Sequence, residues 1–432
     1  MGFCLKNGFL IDPAAGRTGK LDLLIEDGVV AKVGADLDPT DCHVYDLEGL
    51  YVLPGLIDVH THLREPGEEE KETIATATRA AAKGGFTSIT AMPNTKPPAD
   101  QSTVINYVLS KAKAEGVVHV YPVGNITKSG KGEEMAELGE LAEAGAIAFS
   151  DDGSSVMNAE TQRAAFEYGQ LFDKVFLLHC EDENLARDGS MHEGAVSTRL
   201  GLKGIPALAE EIIVARDLQL AEVTGARIHI CHVSTKRSVE LIQEAKLRGV
   251  KVTAEATPHH LSLIDEDVAG FNTSTKVNPP LRSRTDREAL RQGLLDGTID
   301  LIATDHAPHT REEKHKEYPL APFGMIGLET ALGVILTEFY QTGLLELSAI
   351  VDLMSLRPAR LLKIPGGTLA QGAPADLIVV DPNLRWQVRA EDFASKSCNS
   401  PFIGKELTGK NLATMVNGRW VYNDLPSSDT RR

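Results

Sequence analysis

Cysteine is scarce in this 432-residue chain. The five present (Cys4, Cys42, Cys180, Cys231 and Cys398) are odd in number, scattered and without a C-x-x-C pair. That usage excludes a disulfide framework and points to a reduced, cytoplasmic protein. Basic residues are in deficit: 44 Lys and Arg against 61 Asp and Glu leave a net charge of −17. Such an excess of negative charge opposes general binding to nucleic acid or anionic membrane, while leaving room for a local basic pocket for a small anion. No window holds 18 uninterrupted apolar residues, so no membrane-spanning helix is expected. The opening MGFCLKNGFLIDPAAG has no basic stretch followed by a long apolar run, and Lys6 stands where a myristoylation signal wants Ser or Thr. Neither G-x-G-x-x-G nor G-x-x-x-x-G-K-[ST] occurs, which argues against a doubly wound nucleotide-binding sheet.

What is present is an ordinary globular composition, 42% hydrophobic and 24% charged, over a length that suits two or three domains or one large α/β barrel with an appendage. Both ends read as short strands. LDLLIEDGVVAKVG is a hairpin around Asp27-Gly28; ADLIVVDPN and ATMVNGRWVY follow near the other end, the latter turning at Asn417-Gly418. One small sheet domain built from residues 1–54 and 363–425 is therefore expected, with 426–432 a disordered tail. Between them, eight apolar runs (56–63, 87–93, 118–126, 146–150, 175–181, 227–233, 252–261 and 301–308) alternate with Ala- and Leu-rich helical stretches, several ending at Gly. Continuous apolar runs are the mark of buried parallel strands, and eight strand–helix units over residues 55–362 have the count and size of a TIM (β/α)8 barrel.

Polar residues cluster at the C-terminal ends of these runs, the face where such a barrel carries its active site. The first run ends in His60 and His62, with Arg64 following; alternation along a persisting strand would aim all three the same way. The fourth ends in Asp151-Asp152-Gly153, the fifth carries His179, the sixth His232 and the eighth Asp305-His306. So many ionisable groups converging on one mouth need compensation, and a pair of divalent ions supplies it. Mixed His and Asp ligation suits zinc, with manganese, cobalt or iron as substitutes.

The segments DVHTHLREPG (58–67), AMPNTKPP (91–98), FSDDG (149–153), HCED (179–182), CHVST (231–235), TPHHL (257–261), KVNPPLR (276–282), TDHAPH (304–309) and PFGMIGLET (322–330) resemble the cyclic amidohydrolases, most closely the dihydroorotases of the bacterial, longer-chain type. The resemblance covers nearly the whole chain. It implies a TIM barrel with a small β-sandwich from both termini, and a two-metal hydroxide mechanism interconverting N-carbamoyl-L-aspartate and (S)-dihydroorotate in pyrimidine synthesis. It puts His60, His62 and Asp305 on one metal and His179 and His232 on the other, with zinc the expected ion. Many relatives bridge the pair with a carboxylated lysine; this chain has Asp151-Asp152 there, and Asp152 is the implied bridge with Asp151 in support. Asp305 is the implied catalytic base and acid. Arg64, Asn94 and His309, beside His62, match the clamp for the substrate carboxylate, and Asn278, Phe323 and Gly324 the groups that read the ring. His259 and His260 receive a structural role. Dihydropyrimidinase, hydantoinase and allantoinase are the near alternatives, and a non-catalytic scaffold beside aspartate carbamoyltransferase a further one; every implied ligand position being filled speaks against the scaffold. A homodimer and a complex with that transferase are both compatible with the sequence.

Overall fold

The computed structural model describes residues 2–38 and 42–425; the expected tail at 426–432 lies outside them. Its larger part is a ring of eight parallel strands: Leu56–Asp58, Phe86–Ala91, His119–Pro122, Ala148–Phe149, Val175–Leu178, Ile228–Ile230, Val252–Ala256 and Leu301–Ile302. Two isolated parallel bridges, Gly124 to Phe149 and Thr61 to His306, complete the ring. Every residue of the first, second, fifth and sixth strands is buried, as strands covered on both faces must be. The intervening helices begin and end where local chemistry directs. Ile74–Gly84 starts at Thr73, whose hydroxyl accepts from the Thr76 N–H, and stops at Gly85, where φ is +94°. Lys236–Leu247 is likewise capped by Thr235.

The strands are shorter than the apolar runs that announce them. The first leaves the ladder at Asp58 because the Asp58 carboxylate accepts the backbone N–H groups of His60 and Thr304, at 3.1 Å each. His60, His62 and Arg64 therefore do not share the face of a persisting strand. His62 is held instead by its N–H to the His306 carbonyl (2.9 Å), and Arg64 turns into the left-handed region at φ +62°. The seventh run ends at Ala256; Thr257 then caps a short helix, Pro258–Ser262, that carries His259 and His260.

Two further sheets draw on both ends of the chain. One has the order Val29–Gly34, Asp22–Glu26, Gly2–Lys6, Cys42–Asp46; the other runs Arg419–Asn423, Glu406–Val416, Leu377–Gln387, Tyr51–Pro54, Phe9–Asp12, Arg17–Lys20. Both expected hairpins form, at Asp27-Gly28 and at Asn417-Gly418. Leu5, Leu23, Ile25 and Val30 pack against Leu10, Val52, Leu377, Val379 and Met415 to make the sandwich core. No helix among the described residues is long and apolar enough to cross a membrane.

Candidate active site

At the C-terminal mouth of the barrel lies a cavity of about 220 Å³. It is lined by His62, Arg64, Asn94, Asp152, Gly153, His179, His232, Asn278, Asp305, Ala307, His309, Phe323 and Gly324. All of the residues singled out above for metal or substrate line it except His60, which lies wholly buried and contacts its floor.

Asp152 occupies the centre. Its Oδ2 is 3.3 Å from His62 Nε2, while its Oδ1 is 3.2 Å from His60 Nε2, 3.4 Å from His232 Nε2 and 3.7 Å from His179 Nδ1. Asp305 Oδ1 stands 3.1 Å from His62 Nε2 and 3.6 Å from His60 Nε2. Asp151 points elsewhere: its carboxylate accepts from Asn125 Nδ2, the N–H groups of Ile126 and Thr127, and the Thr127 hydroxyl, tying the end of strand four to the loop after strand three.

The histidine protons decide what the cluster can hold. His62 Nδ1 donates to Asn94 Oδ1 (2.9 Å) and His60 Nδ1 to Glu255 Oε1 (2.7 Å). With those protons placed, both Nε2 lone pairs face carboxylate oxygens: acceptor against acceptor, in a buried setting. His60 Nε2, Asp152 Oδ1 and His179 Nε2 have no hydrogen-bond partner. A cation between them turns that repulsion into ligation, so the donor set is that of a divalent-metal centre. Three tight groupings of potential ligand atoms occur here: His60, His62 and Asp305; His60, Asp152 and His232; and His60, Cys231 and Glu255. Backbone strain marks the same place. Arg64 (φ +62°), His232 (φ +34°) and Asp305 (φ +49°) all adopt the left-handed region, which bulky side chains enter only when their surroundings hold them there.

Opposite the cluster, Arg64 Nε donates to the Pro308 carbonyl (3.2 Å) and its Nη2 lies 3.4 Å from His309 Nε2. His309 faces the Phe323 carbonyl through Nε2 (2.7 Å) and Glu313 through Nδ1 (3.2 Å). Burial, then the charges of Arg64 and Lys314, push its pKa down to about 2. Asn278 donates its amide to Glu181 Oε2 (2.9 Å), leaving its buried Oδ1 without a partner. The Gly324 N–H is taken by the Lys276 carbonyl, and its own carbonyl accepts from Asn399 Nδ2. At φ +128°, with a Cβ due to land 2.8 Å from that of Ala307, position 324 admits only glycine without movement.

Of the two histidines expected to be structural, His260 bonds Thr257 Oγ1 and the Pro279 carbonyl, while His259 does not line the cavity and its buried Nε2 has no hydrogen-bond partner. Three residues that sequence reasoning missed are Glu255, Glu181 and Asn399. Glu255 backs His60, Glu181 stands 3.8 Å from His179 Nε2, and Asn399 reaches in from the C-terminal segment. The signals available were a lone Glu in a strand run, VTAEA, and the place of Glu181 within the HCED segment.

A dihydro-orotase-like family model matches residues 49–238. The dihydroorotase of Pelotomaculum thermopropionicum is 56% identical over 98% of this chain and 99% of its own length. That of Syntrophus aciditrophicus is 52% identical over 98% and 100%. Among solved structures, the L-hydantoinase (dihydropyrimidinase) from Arthrobacter aurescens superposes with a TM-score of 0.88 at 27% identity, covering 98% of this chain and 96% of that one.

Proposed function

Because the chain belongs to the dihydroorotase family, we propose that it interconverts N-carbamoyl-L-aspartate and (S)-dihydroorotate in pyrimidine biosynthesis. It is a metal-dependent hydrolase of cyclic amides. One observation carries the substrate assignment: a single small cavity joins an Arg64–Asn94–His309 rim to a floor of buried histidines and aspartates. A molecule with a carboxylate at one end and an amide carbonyl at the other suits both walls.

In this reading His60, His62 and Asp305 would hold one divalent ion and His179 and His232 a second, with Asp152 within reach of both sets; zinc is the ion we expect. When bound, such ions polarise the carbonyl under attack and bring a water pKa near neutrality. Arg64, Asn94 and His309 grip the substrate carboxylate, the guanidinium by charge-assisted hydrogen bonds. Asn278 and the backbone at Phe323 and Gly324 face the ring. Asp305 takes a proton from the attacking water and gives it to the ring nitrogen as the C–N bond breaks. In the reverse direction it takes a proton from the carbamoyl nitrogen as that nitrogen closes on the β-carboxyl carbon and water leaves. Closure is favoured by protonating that carboxylate, so synthesis gains at lower pH and hydrolysis at higher pH. The domain division at about residues 55 and 363, the cytoplasmic setting, and assembly as a homodimer or with an aspartate carbamoyltransferase belong to the same proposal. Turnover of dihydroorotate, measured beside allantoin and dihydrouracil on protein of known metal content, tests it. Preference for either competitor would overturn the substrate assignment.

A further inference from the structure

Strand seven supplies none of the proposed metal ligands, yet its Glu255 is wholly buried directly behind them. A carboxylate removed from water is costly unless its oxygens are filled. Here they are. Oε1 accepts from His60 Nδ1 (2.7 Å) and from the backbone N–H of His232 (3.2 Å). Oε2 accepts from His229 Nε2 (2.9 Å), whose Nδ1 lies 2.8 Å from the Thr253 hydroxyl. One side chain on strand seven thus touches a histidine at the end of strand one, a second within strand six, and the backbone of a third just beyond it.

A neutral imidazole has one N–H. A carboxylate at Nδ1 fixes that proton there, fixes the ring plane, and leaves Nε2 as a lone pair aimed between Asp152 and Asp305. It also makes the ring a stronger donor to a cation than a neutral partner would. His62 shows the contrast on the same segment, since its Nδ1 proton goes to the amide oxygen of Asn94. We infer that Glu255 is a positioning residue for the metal centre: through His60 Nδ1 it sets the tautomer and donor strength of an imidazole that, like that of His62, faces both Asp152 and Asp305. This rests on the metal-centre reading above and adds to it a group that touches neither ion nor substrate.

The test is metal affinity, read by chelator competition with Zn2+ on apo-protein, beside the thermal midpoint of each apo-protein as a control for folding. Glu255→Gln is nearly isosteric but removes the charge and can accept from only one of the two imidazoles. Its zinc affinity should fall about 10- to 100-fold while the apo-protein melts as wild type does. Glu255→Asp keeps the charge on a shorter arm and should recover part of the loss. Zinc binding by Glu255→Gln within threefold of wild type would overturn the inference, as would a loss that Glu255→Asp does nothing to restore. Should Glu255→Gln not fold, Glu255→Asp decides alone: weaker binding with an unchanged apo midpoint supports the role, and wild-type binding removes it. Wild-type protein that takes up no zinc would defeat the metal-centre reading itself and this inference with it, a result distinct from variant and wild type binding alike.

Discussion

Asp151 and Asp152 are neighbours with opposite surroundings, and that contrast makes the sharpest residue-level test. Asp152 faces four histidines; Asp151 accepts four hydrogen bonds from residues 125–127. Asp152→Ala should abolish nearly all activity and at least one bound metal. Asp151→Ala should keep metal but melt earlier, because each buried donor left unpaired costs about 1–3 kcal/mol. Metal analysis and thermal melts on both variants check the ranking. No lysine lines the cavity among the described residues, so apo-enzyme should regain activity with divalent metal alone in bicarbonate-free buffer; strict bicarbonate dependence would contradict an aspartate bridge. Arg64→Ala should retain both metals yet lose at least about tenfold in kcat/KM, since a hydrogen bond to a charged group is worth about 1.5–3 kcal/mol. The residues proposed for the metals and the clamp could be picked out because His, Asp and Arg at the ends of apolar runs are conspicuous. Glu255 and Asn399 could not, because their importance lies wholly in which distant atoms they meet.

At the scale of elements, the eight runs and both hairpins could be read from apolar patterning and turn residues, but not where each strand stops. Asp58 ends the first by capturing two backbone N–H groups, one of them 246 residues away. The charged segment 310–324 shows the same limit. Its density of charge does not reveal that it contains a short helix, Arg311–Lys314, capped by Thr310, and is lashed down by two lysines. Lys314 Nζ donates to the carbonyls of Thr273 and Pro322, and Lys276 Nζ to those of Pro319 and Ala321. Burial, then the charge of Lys276, pushes the Lys314 ammonium down to about 7. An unfolded lysine titrates near ~10.4, so between these values the unfolded chain binds the extra proton and this group makes stability rise with pH. Below about pH 7 the ammonium is charged in both states and the burial cost is fully present. Lys314→Met removes that titration: relative to wild type it should be most stable near pH 7 and lose ground by pH 9, as denaturant midpoints at the two pH values would show. A constant difference would mean that Lys314 does not titrate there. Hydrogen exchange with a substrate analogue asks a separate question of the segment. Added protection across 310–324 is the result expected of a loop that orders over substrate; identical protection would leave it a static wall.

For the whole molecule, the (β/α)8 ring and the two-ended sandwich followed from the order of the patterns, since a sheet assembled from both termini leaves strands at both ends of the chain. What patterning could not carry is how the C-terminal segment, on its way between sandwich strands, enters the barrel mouth. Ser395 bonds Glu72, whose carboxylate is 3.5 Å from His306 Nε2. Asn399 is buried between the two loops that frame the cavity: its Oδ1 accepts the His309 N–H (3.2 Å), and its Nδ2 donates to the carbonyls of Ala307 (3.0 Å) and Gly324 (3.1 Å). Its own carbonyl accepts the Ile326 N–H at 3.1 Å. One amide thus fixes the spacing between His309 on the proposed carboxylate clamp and Gly324 on the proposed ring wall. No proposed metal ligand touches it. Asn399→Ala would leave three buried backbone groups without their partner and let the two loops drift apart, and a misplacement of even 1 Å can cost about a hundredfold in rate. The expected result is a raised KM for dihydroorotate and a fall of at least about tenfold in kcat/KM, with zinc content and affinity unchanged. Loss of metal together with activity would instead mean that the C-terminal segment supports the ligand cluster, and an unchanged KM would reduce Asn399 to a packing residue.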